Sequence, residues 1–224
     1  MAIRNLVLAT GEIYHVFNRG VERRTVFTNK RDYERALETI NYYRFTSLPV
    51  RYSHFLNLTK TQKENVLASL DDVEATIFSF CLMPNHFHFI LKQEAENGIS
   101  RFMANFANSY SRYFNTKYQR IGPLFQGTFK AVHVESDEQL LHLSRYVHLN
   151  PVSSFLVKEG QLDSYPWSSL PEYLKLKRDD ENDISDPKLV LGQFKKIDEY
   201  QKFVHNQIDY AQELEKIKHL AFDD

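Results

Sequence analysis

Two histidines, His86 and His88, lie two residues apart in the apolar stretch "CLMPNHFHFILK" that runs from residue 81 to 92. Apolar and β-branched or aromatic residues dominate this stretch, which predicts a buried strand. Because side chains alternate along a strand, both imidazoles are expected on one face and Phe87 and Phe89 on the other. Two neighbouring imidazoles form a pair of nitrogen ligands for a divalent cation.

This spacing alone is weak support for a metal site. With nine histidines in the chain, an H-x-H pair arises easily by chance. The alternative is two ordinary strand histidines without a ligand. A histidine-triad nucleotide hydrolase would need a third alternating histidine, but that position is Ile90, so this class is excluded.

A second polar pattern lies in "HLSRYVHLNP", where His142, Tyr146 and Asn150 follow one another at steps of four residues. On a helix this spacing forms one polar stripe. The opposite face would be apolar, with Leu140, Leu143 and Val147. A tyrosine in such a stripe is either half-buried packing or, where its phenolate is stabilised, a nucleophile. Asn150 could add an amide oxygen to the two imidazoles, and this mixed oxygen and nitrogen set suits Mg²⁺ or Mn²⁺.

Periodicity and turn residues predict the elements that would position these side chains. The order β-α-β-β-α-β-α predicts an α+β fold, an antiparallel sheet with helices on one side. The predicted strands are 12–20, 75–84, 86–92 and 127–136, the helices are 29–45, 98–118 and 136–151, and 46–72 is predicted as a loop with at most a short helix.

The helix that carries Tyr146 has clear end signals. Ser136 and Gln139 have the spacing of a capping box, and the acidic residues between them favour the positive end of the helix dipole. Pro151 is predicted to end the helix, because the residue before a proline is pushed away from helical geometry.

Composition divides the chain into a main domain at 1–170 and an extension at 171–224, which consists of a charged linker (175–188) and an amphipathic helical tail. Residues 1–170 hold 19 Lys and Arg against 16 Asp and Glu, whereas residues 171–224 hold 9 against 13. No signal peptide and no apolar run long enough to span a bilayer is evident. The single cysteine, Cys81, excludes an intrachain disulfide, so the expected location is the reducing cytoplasm.

Many aromatic residues lie beside basic ones, as in "NSYSRYFNTKYQR" (108–120). Aromatic rings and cations together suit single-stranded nucleic acid, although most rings are expected in the core. The candidate DNA contacts are Arg19, Arg23, Arg24, Arg112, Lys117, Arg120 and Lys130, and each could instead belong to an ordinary charged surface. Tyr110, Tyr113 and Tyr118 compete with Tyr146 as nucleophiles. His15, His133 and His148 are interpreted as structural or surface residues.

The motifs "MPNHFHFIL", "GPLFQGTFKAVHV" and "LSRYVHLNPV" together resemble the single-tyrosine HUH transposases. The similarity is to the insertion-sequence 200/605-like group, and especially to REP-associated tyrosine transposases. It covers about residues 11–170 and includes "YHVFNRG" near the start and "YPWSS" near the end. Several separated motifs in the right order make this resemblance far more specific than the H-x-H pair.

The resemblance implies a ferredoxin- or RRM-like sheet with helices packed on it, followed here by the C-terminal helical extension. It implies that His86, His88 and Asn150 bind Mg²⁺ or Mn²⁺ and that Tyr146 is the nucleophile. Such enzymes cleave and rejoin single-stranded DNA, often at hairpins or repeats, through a 5′-phosphotyrosine link and without a nucleotide cofactor. The partner is then single-stranded or hairpin DNA and not a membrane, and the resemblance leaves open whether the enzyme is a monomer or a homodimer.

Two departures from the family pattern concern DNA contacts. Thr128 stands where relatives often have an arginine after "FQG", and Ser153 and Ser154 replace the end of "NPVRA". Each change removes a phosphate contact expected from the family. The alternative function is a non-catalytic protein that binds single-stranded or hairpin nucleic acid. A replication initiator or relaxase with the same chemistry is disfavoured by the motif order.

Overall fold

Four antiparallel strands form one sheet, in the order β2-β3-β1-β4. The computed structural model describes residues 7–176 and 183–222. The strands are β1 (Ile13–Arg19), β2 (Ala75–Met83), β3 (His86–Gln93) and β4 (Lys130–Val134). The predicted antiparallel α+β fold is confirmed.

The pairing of β1 with β3 decides which side chains share a face. Phe17 lies opposite His88, and Arg19 lies opposite His86. Directly paired residues on neighbouring strands project from the same face. The register therefore places part of "YHVFNRG" beside the two histidines, although the segments are far apart in the chain.

The helices form the remaining layers. They are α1 (Lys30–Tyr43), α2 (Tyr52–Phe55), α3 (Lys60–Ala68), α4 (Gly98–Lys117), α5 (Asp137–Ser153), α6 (Leu170–Tyr173), α7 (Lys188–Leu191), α8 (Ile197–His205) and α9 (Ile208–Phe222). Two of them, α2 and α3, lie in the segment that was predicted as mainly loop.

The prediction of helices on one side of the sheet is wrong, because both faces are covered. Phe87 and Phe89 are fully buried and pack on Phe102 and Phe106 of α4. The opposite face, with Ile90, packs against Leu140 and Val147 of α5 and against residues of the C-terminal helices. The physical reason is that β2 is apolar on both faces, as in the buried strands of a layered fold, and Ile90 of β3 adds to the second apolar face.

The predicted start of α5 is confirmed, but its predicted end is wrong. The Ser136 side chain accepts a hydrogen bond from the Gln139 backbone N–H at 3.2 Å. Pro151 does not end the helix, which continues to Ser153. The fixed φ of proline suits helical geometry, and the cost of its missing N–H is limited here because the helix ends within one turn.

The C-terminal extension packs against the rest of the fold. Tyr200 and Val204 of α8 and Ile208 of α9 are buried in the same cluster as Val147 and Val152 of α5. The middle of the predicted charged linker, 177–182, lies outside the described residues. None of the helices that the structure describes is long and apolar enough to cross a membrane.

Candidate active site

One cavity of about 360 Å³ brings the predicted site residues together. His86 and His88 enter it from β3, and Tyr146 and Asn150 enter it from α5. The two imidazole rings lie with their centroids 5.1 Å apart. The His88 ring meets the Tyr146 ring edge-on at 5.5 Å. The strand pair and the helix stripe are therefore two halves of one site.

The tautomer of His86 is set by its neighbour in the chain. Its Nδ1 lies 2.6 Å from Oδ1 of Asn85. Because an amide oxygen only accepts, Nδ1 carries the proton and Nε2 keeps its lone pair. Burial, with a smaller contribution from the charge of Arg19, lowers the pKa of His86 to about 4, although a hydrogen bond to Asn150 and the charge of Glu215 act in the opposite direction. The imidazole is therefore neutral at pH 7.

His88 is oriented by His15, a residue interpreted from sequence as structural or surface. Its Nδ1 lies 2.9 Å from Nε2 of His15, and the two rings are stacked with centroids 5.1 Å apart. A proton on His88 Nδ1 satisfies this contact and leaves His88 Nε2 with its lone pair. Burial lowers the pKa of His15 to about 4. The alternation in "YHVFNRG" predicts a strand that contains His15, but only the register of β1 against β3 places His15 beside His88.

Tyr146 and Asn150 form a unit on consecutive turns of α5. The Asn150 side chain is 7% exposed and its Nδ2 donates to the Tyr146 carbonyl oxygen at 2.9 Å. Tyr146 itself is 44% exposed and opens to solvent. A buried amide beside an accessible phenol combines a fixed oxygen ligand with a group that a large substrate can reach.

Some of the predicted DNA contacts border this cavity and others do not. Arg19 and Lys130 line it, together with Ser153, Ser154 and Glu215 of α9. Arg23 and Arg24 lie in the turn after β1, where Arg24 pairs with Glu22 at 3.3 Å. Arg112 and Lys117 lie on α4, and Arg120 follows it, donating to Asn115 at 3.1 Å.

The three competing tyrosines lie on the other side of the sheet. Tyr110 is buried and donates to the Val26 carbonyl at 2.6 Å. Tyr113 and Tyr118 both donate to the buried carboxylate of Asp32, at 2.9 and 2.7 Å. None of them lines the cavity of His86 and His88, so Tyr146 alone of the four candidates faces the paired histidines.

A buried hydrogen-bond network holds α5 in place. His148 is fully buried, with Nδ1 2.8 Å from the Tyr200 hydroxyl and Nε2 2.7 Å from the Ser169 hydroxyl. Ser169 also accepts from the backbone N–H of Phe80 in β2 at 2.9 Å. The helix that carries Tyr146 is therefore tied to the sheet and to α8 by the same side chain.

We expect this network to make the fold sensitive to acid. Burial lowers the pKa of His148 to about 3, whereas an unfolded histidine titrates near 6.5. Between pH 6.5 and pH 3 the unfolded chain binds a proton on His148 that the folded chain does not bind. The free energy of unfolding therefore falls as the pH is lowered from about 6.5 towards 3. Urea unfolding should show a lower free energy of unfolding at pH 4.5 than at pH 7. In His148→Asn this difference should be smaller by about 2 kcal/mol. An equal loss in both proteins would contradict this assignment.

The donor set fits a divalent cation. Among the residues that the structure describes, no cluster of three or more His, Cys, Asp or Glu side chains could hold a metal. The cavity of Tyr146 brings together two imidazoles, whose Nδ1 atoms contact Asn85 and His15, and the Asn150 amide. Such a set leaves coordination positions for water and phosphate oxygens, as Mg²⁺ and Mn²⁺ require.

Comparison with known proteins agrees with this arrangement. The family model described as "Transposase IS200 like" matches residues 41–150, a segment that contains both histidines, Tyr146 and Asn150. The matched segment, 110 of the chain's 224 residues, is similar to the IS200-like transposases. The resemblance predicted from the motifs is confirmed.

A solved structure supports the fold of the transposase. The structure of a REP-associated tyrosine transposase bound to a REP hairpin matches with a TM-score of 0.51 and 16% sequence identity. The match covers 83% of this chain and 94% of that chain. No curated protein matches the sequence. At this identity the likeness concerns the fold alone.

Proposed function

We propose that this transposase cleaves and rejoins single-stranded DNA beside a hairpin or repeat, with Tyr146 as nucleophile. The observation that carries the proposal is the convergence of His86, His88, Tyr146 and Asn150 on one cavity. A phenol at the mouth of the cavity, beside two imidazoles, suits attack on a phosphodiester. The DNA-bound state of the structural relative supports a nucleic-acid substrate.

The reaction is a transesterification. Tyr146 Oη forms a bond to phosphorus as the bond to the 3′ oxygen breaks, and the phenol proton ends on that oxygen. The products are a 5′-phosphotyrosine link and a free 3′-OH, and attack by a 3′-OH on the link restores a phosphodiester. Because one ester replaces another, no nucleotide cofactor is required.

His86, His88 and Asn150 would hold Mg²⁺ or Mn²⁺. When bound, the cation supplies Lewis-acid polarisation of the scissile phosphate, which lowers the demand on the phenol. The protein's own part is to present the two imidazoles, whose Nδ1 atoms contact Asn85 and His15. Tyr146 and Asn150 approach from α5, held in position by the buried His148 network.

His15 is expected to act as a positioning residue for His88. Replacing His15 with alanine removes the partner of His88 Nδ1, and loss of such an outer partner typically weakens metal binding about 10- to 100-fold. Titration of Mn²⁺ by calorimetry measures this directly, without reference to activity. His15→Gln keeps a hydrogen-bonding amide and should recover part of the affinity. Unchanged Mn²⁺ affinity in His15→Ala would remove the assigned role.

The proposed function is tested with hairpin oligonucleotides that carry a randomised single-stranded flank and a 3′ fluorescent label. In Mg²⁺ or Mn²⁺, the 3′ fragment should stay attached to the protein in a denaturing gel. Mass spectrometry should map the adduct to the peptide that contains Tyr146. Sequencing of the released fragments would identify the cleavage site. Tight hairpin binding without any adduct would instead indicate a non-catalytic binding protein.

A further inference from the structure

A carboxylate from the C-terminal extension lines the catalytic cavity. Among the residues that the structure describes, Glu215 of α9 is the one acidic side chain in this lining. It also lines a smaller cavity of about 170 Å³ between α5 and α9, and it shares both linings with Tyr146 and Ser153. Its charge acts on His86, whose pKa it raises against the effect of burial. Glu215 therefore lies at the junction of the two cavities, as Tyr146 does.

The packing of α9 on α5 places Glu215 there. Ile208 is buried in the apolar cluster that includes Val152 of α5, and Gln212 Nε2 donates to the Val152 carbonyl oxygen at 3.2 Å. Residues 208, 212 and 215 follow at four- and three-residue steps, so they share one face of the helix. Glu215 is half-buried on this face, whereas Glu213 on the same helix is exposed.

A carboxylate in this position is unfavourable for packing and for substrate binding. The face of a helix that meets its neighbour normally carries apolar side chains. The cavity also has to receive a phosphate in the proposed function, and like charges repel at close range. Arg19 and Lys130 line the same cavity and offset part of this repulsion. An ion pair with one of these cations is the structural alternative to a role in the chemistry.

The proposed transesterification has one proton to move, and this supplies a task for a carboxylate. Tyr146 must lose the proton and the leaving 3′ oxygen must gain it. An ordinary phenol keeps its proton at pH 7. A positioned side chain that accepts a proton in the transition state and releases it again typically accelerates such a step about 10²- to 10⁴-fold.

The other polar groups of the cavity do not suit this task. In the proposed function, His86 and His88 use their lone pairs to hold the cation, so neither accepts a proton. Arg19 and Lys130 are donors without an acceptor atom. The amides and hydroxyls of the lining are far weaker bases than a carboxylate. Within the described lining, Glu215 is therefore the side chain that can accept the proton while a cation is bound.

We infer that Glu215 is a catalytic residue that carries the proton of Tyr146 to the leaving 3′ oxygen. The inference rests on the proposed function, since it assigns the path of a proton in that reaction. It also gives the C-terminal extension a direct part in the chemistry. The α9 helix would supply a reacting group in addition to covering the apolar face of α5.

The proton returns Glu215 to its starting state in each step. The phenol O–H bond breaks as the proton passes to a carboxylate oxygen of Glu215, and the electron pair left on Tyr146 Oη forms the bond to phosphorus. The bond between phosphorus and the 3′ oxygen breaks with its electron pair on oxygen, and this oxygen takes the proton from Glu215. During rejoining, the same carboxylate carries the proton of the attacking 3′-OH back to the phenol.

The test uses a DNA strand in which sulfur replaces the leaving 3′ oxygen at the mapped cleavage site. A thiolate is a better leaving group and departs without a proton, so the loss of a proton carrier matters less on this strand. The rate of adduct formation in Mn²⁺ is measured for wild type, Glu215→Gln and Glu213→Gln on the sulfur strand and on the oxygen strand. Glu213→Gln is the matched control, because it makes the same change in net charge on the exposed side of α9.

On the oxygen strand, Glu215→Gln should form the Tyr146 adduct at least about 100-fold more slowly than wild type. On the sulfur strand, the ratio of wild-type to variant rate should be at least about tenfold smaller, because the leaving group no longer needs the proton. The affinities of Glu215→Gln for Mn²⁺ and for the hairpin should stay near the wild-type values. Glu213→Gln should match wild type on both strands.

Several results would overturn the inference and leave the proposed function intact. They are a wild-type rate for Glu215→Gln on the oxygen strand, an equal loss on both strands, and the same loss in Glu213→Gln. Faster cleavage by Glu215→Gln would show that the carboxylate only repels the phosphate. A loss of Mn²⁺ affinity as large as that of His86→Ala would place Glu215 in the metal site instead. Absence of a Tyr146 adduct from the wild type on both strands would overturn the proposed chemistry, and the inference with it.

Discussion

Tyr146→Phe is expected to abolish the covalent DNA adduct while leaving DNA binding intact. The substitution removes only the hydroxyl oxygen that would form the bond to phosphorus. No other side chain in the cavity carries a phenol. Loss of a nucleophile that forms the intermediate typically lowers the rate by several orders of magnitude. The measurement is the yield of labelled protein in a denaturing gel after reaction with the 3′-labelled hairpin.

Tyr210→Phe is the matched control. Tyr210 is 59% exposed, lies on α9, and lines the small cavity next to Tyr146. It is therefore the tyrosine best placed to attack in place of Tyr146. The control should form adduct at the wild-type rate. Adduct formation by Tyr146→Phe at an unchanged rate, or its loss in Tyr210→Phe, would assign the nucleophile elsewhere.

The second large effect is expected from His86→Ala and His88→Ala. Each substitution removes one of the two imidazoles from the proposed ligand set of His86, His88 and Asn150. With one nitrogen ligand left, Mn²⁺ affinity should fall by at least about 100-fold. Calorimetric titration measures the affinity, and the adduct assay should show a parallel loss of cleavage. Both variants should still bind hairpin DNA, because the basic side chains at the cavity, Arg19 and Lys130, are unchanged.

His142→Ala controls for the general effect of removing a histidine near the site. His142 lies one turn before Tyr146 on α5, but its side chain is 51% exposed and approaches Glu138 at 4.0 Å. Its loss should leave Mn²⁺ affinity unchanged. Undiminished adduct formation by His86→Ala in the presence of a chelator would show that the chemistry does not use the cation.

Local patterns in the sequence were sufficient to predict the parts of the site. The alternation in "NHFHFIL" predicts that both imidazoles share a face, and the four-residue steps from His142 to Asn150 predict the stripe on α5. Each of these patterns lies within one element, where periodicity alone sets the direction of a side chain. The strand and helix bounds follow from the same kind of information, apart from Pro151.

Contacts between distant segments could not be predicted in this way. His15 and His88 are 73 residues apart, and only the register of β1 against β3 brings them together. The second helical layer depends on the packing of α5 and α8 on the sheet. Tyr200 takes part in this packing, although the sequence placed it only in an amphipathic tail.

The hydrogen bond between His148 and Tyr200 has a consequence for how this chain can vary. A version that stopped near residue 170 would leave His148 Nδ1 without its partner and expose Val147 and Val152, which the C-terminal helices cover. Its loss of activity would reflect a misfolded catalytic helix rather than a missing recognition module. The tail and α5 therefore form one packing unit, and replacement of the tail would require compensating changes along α5.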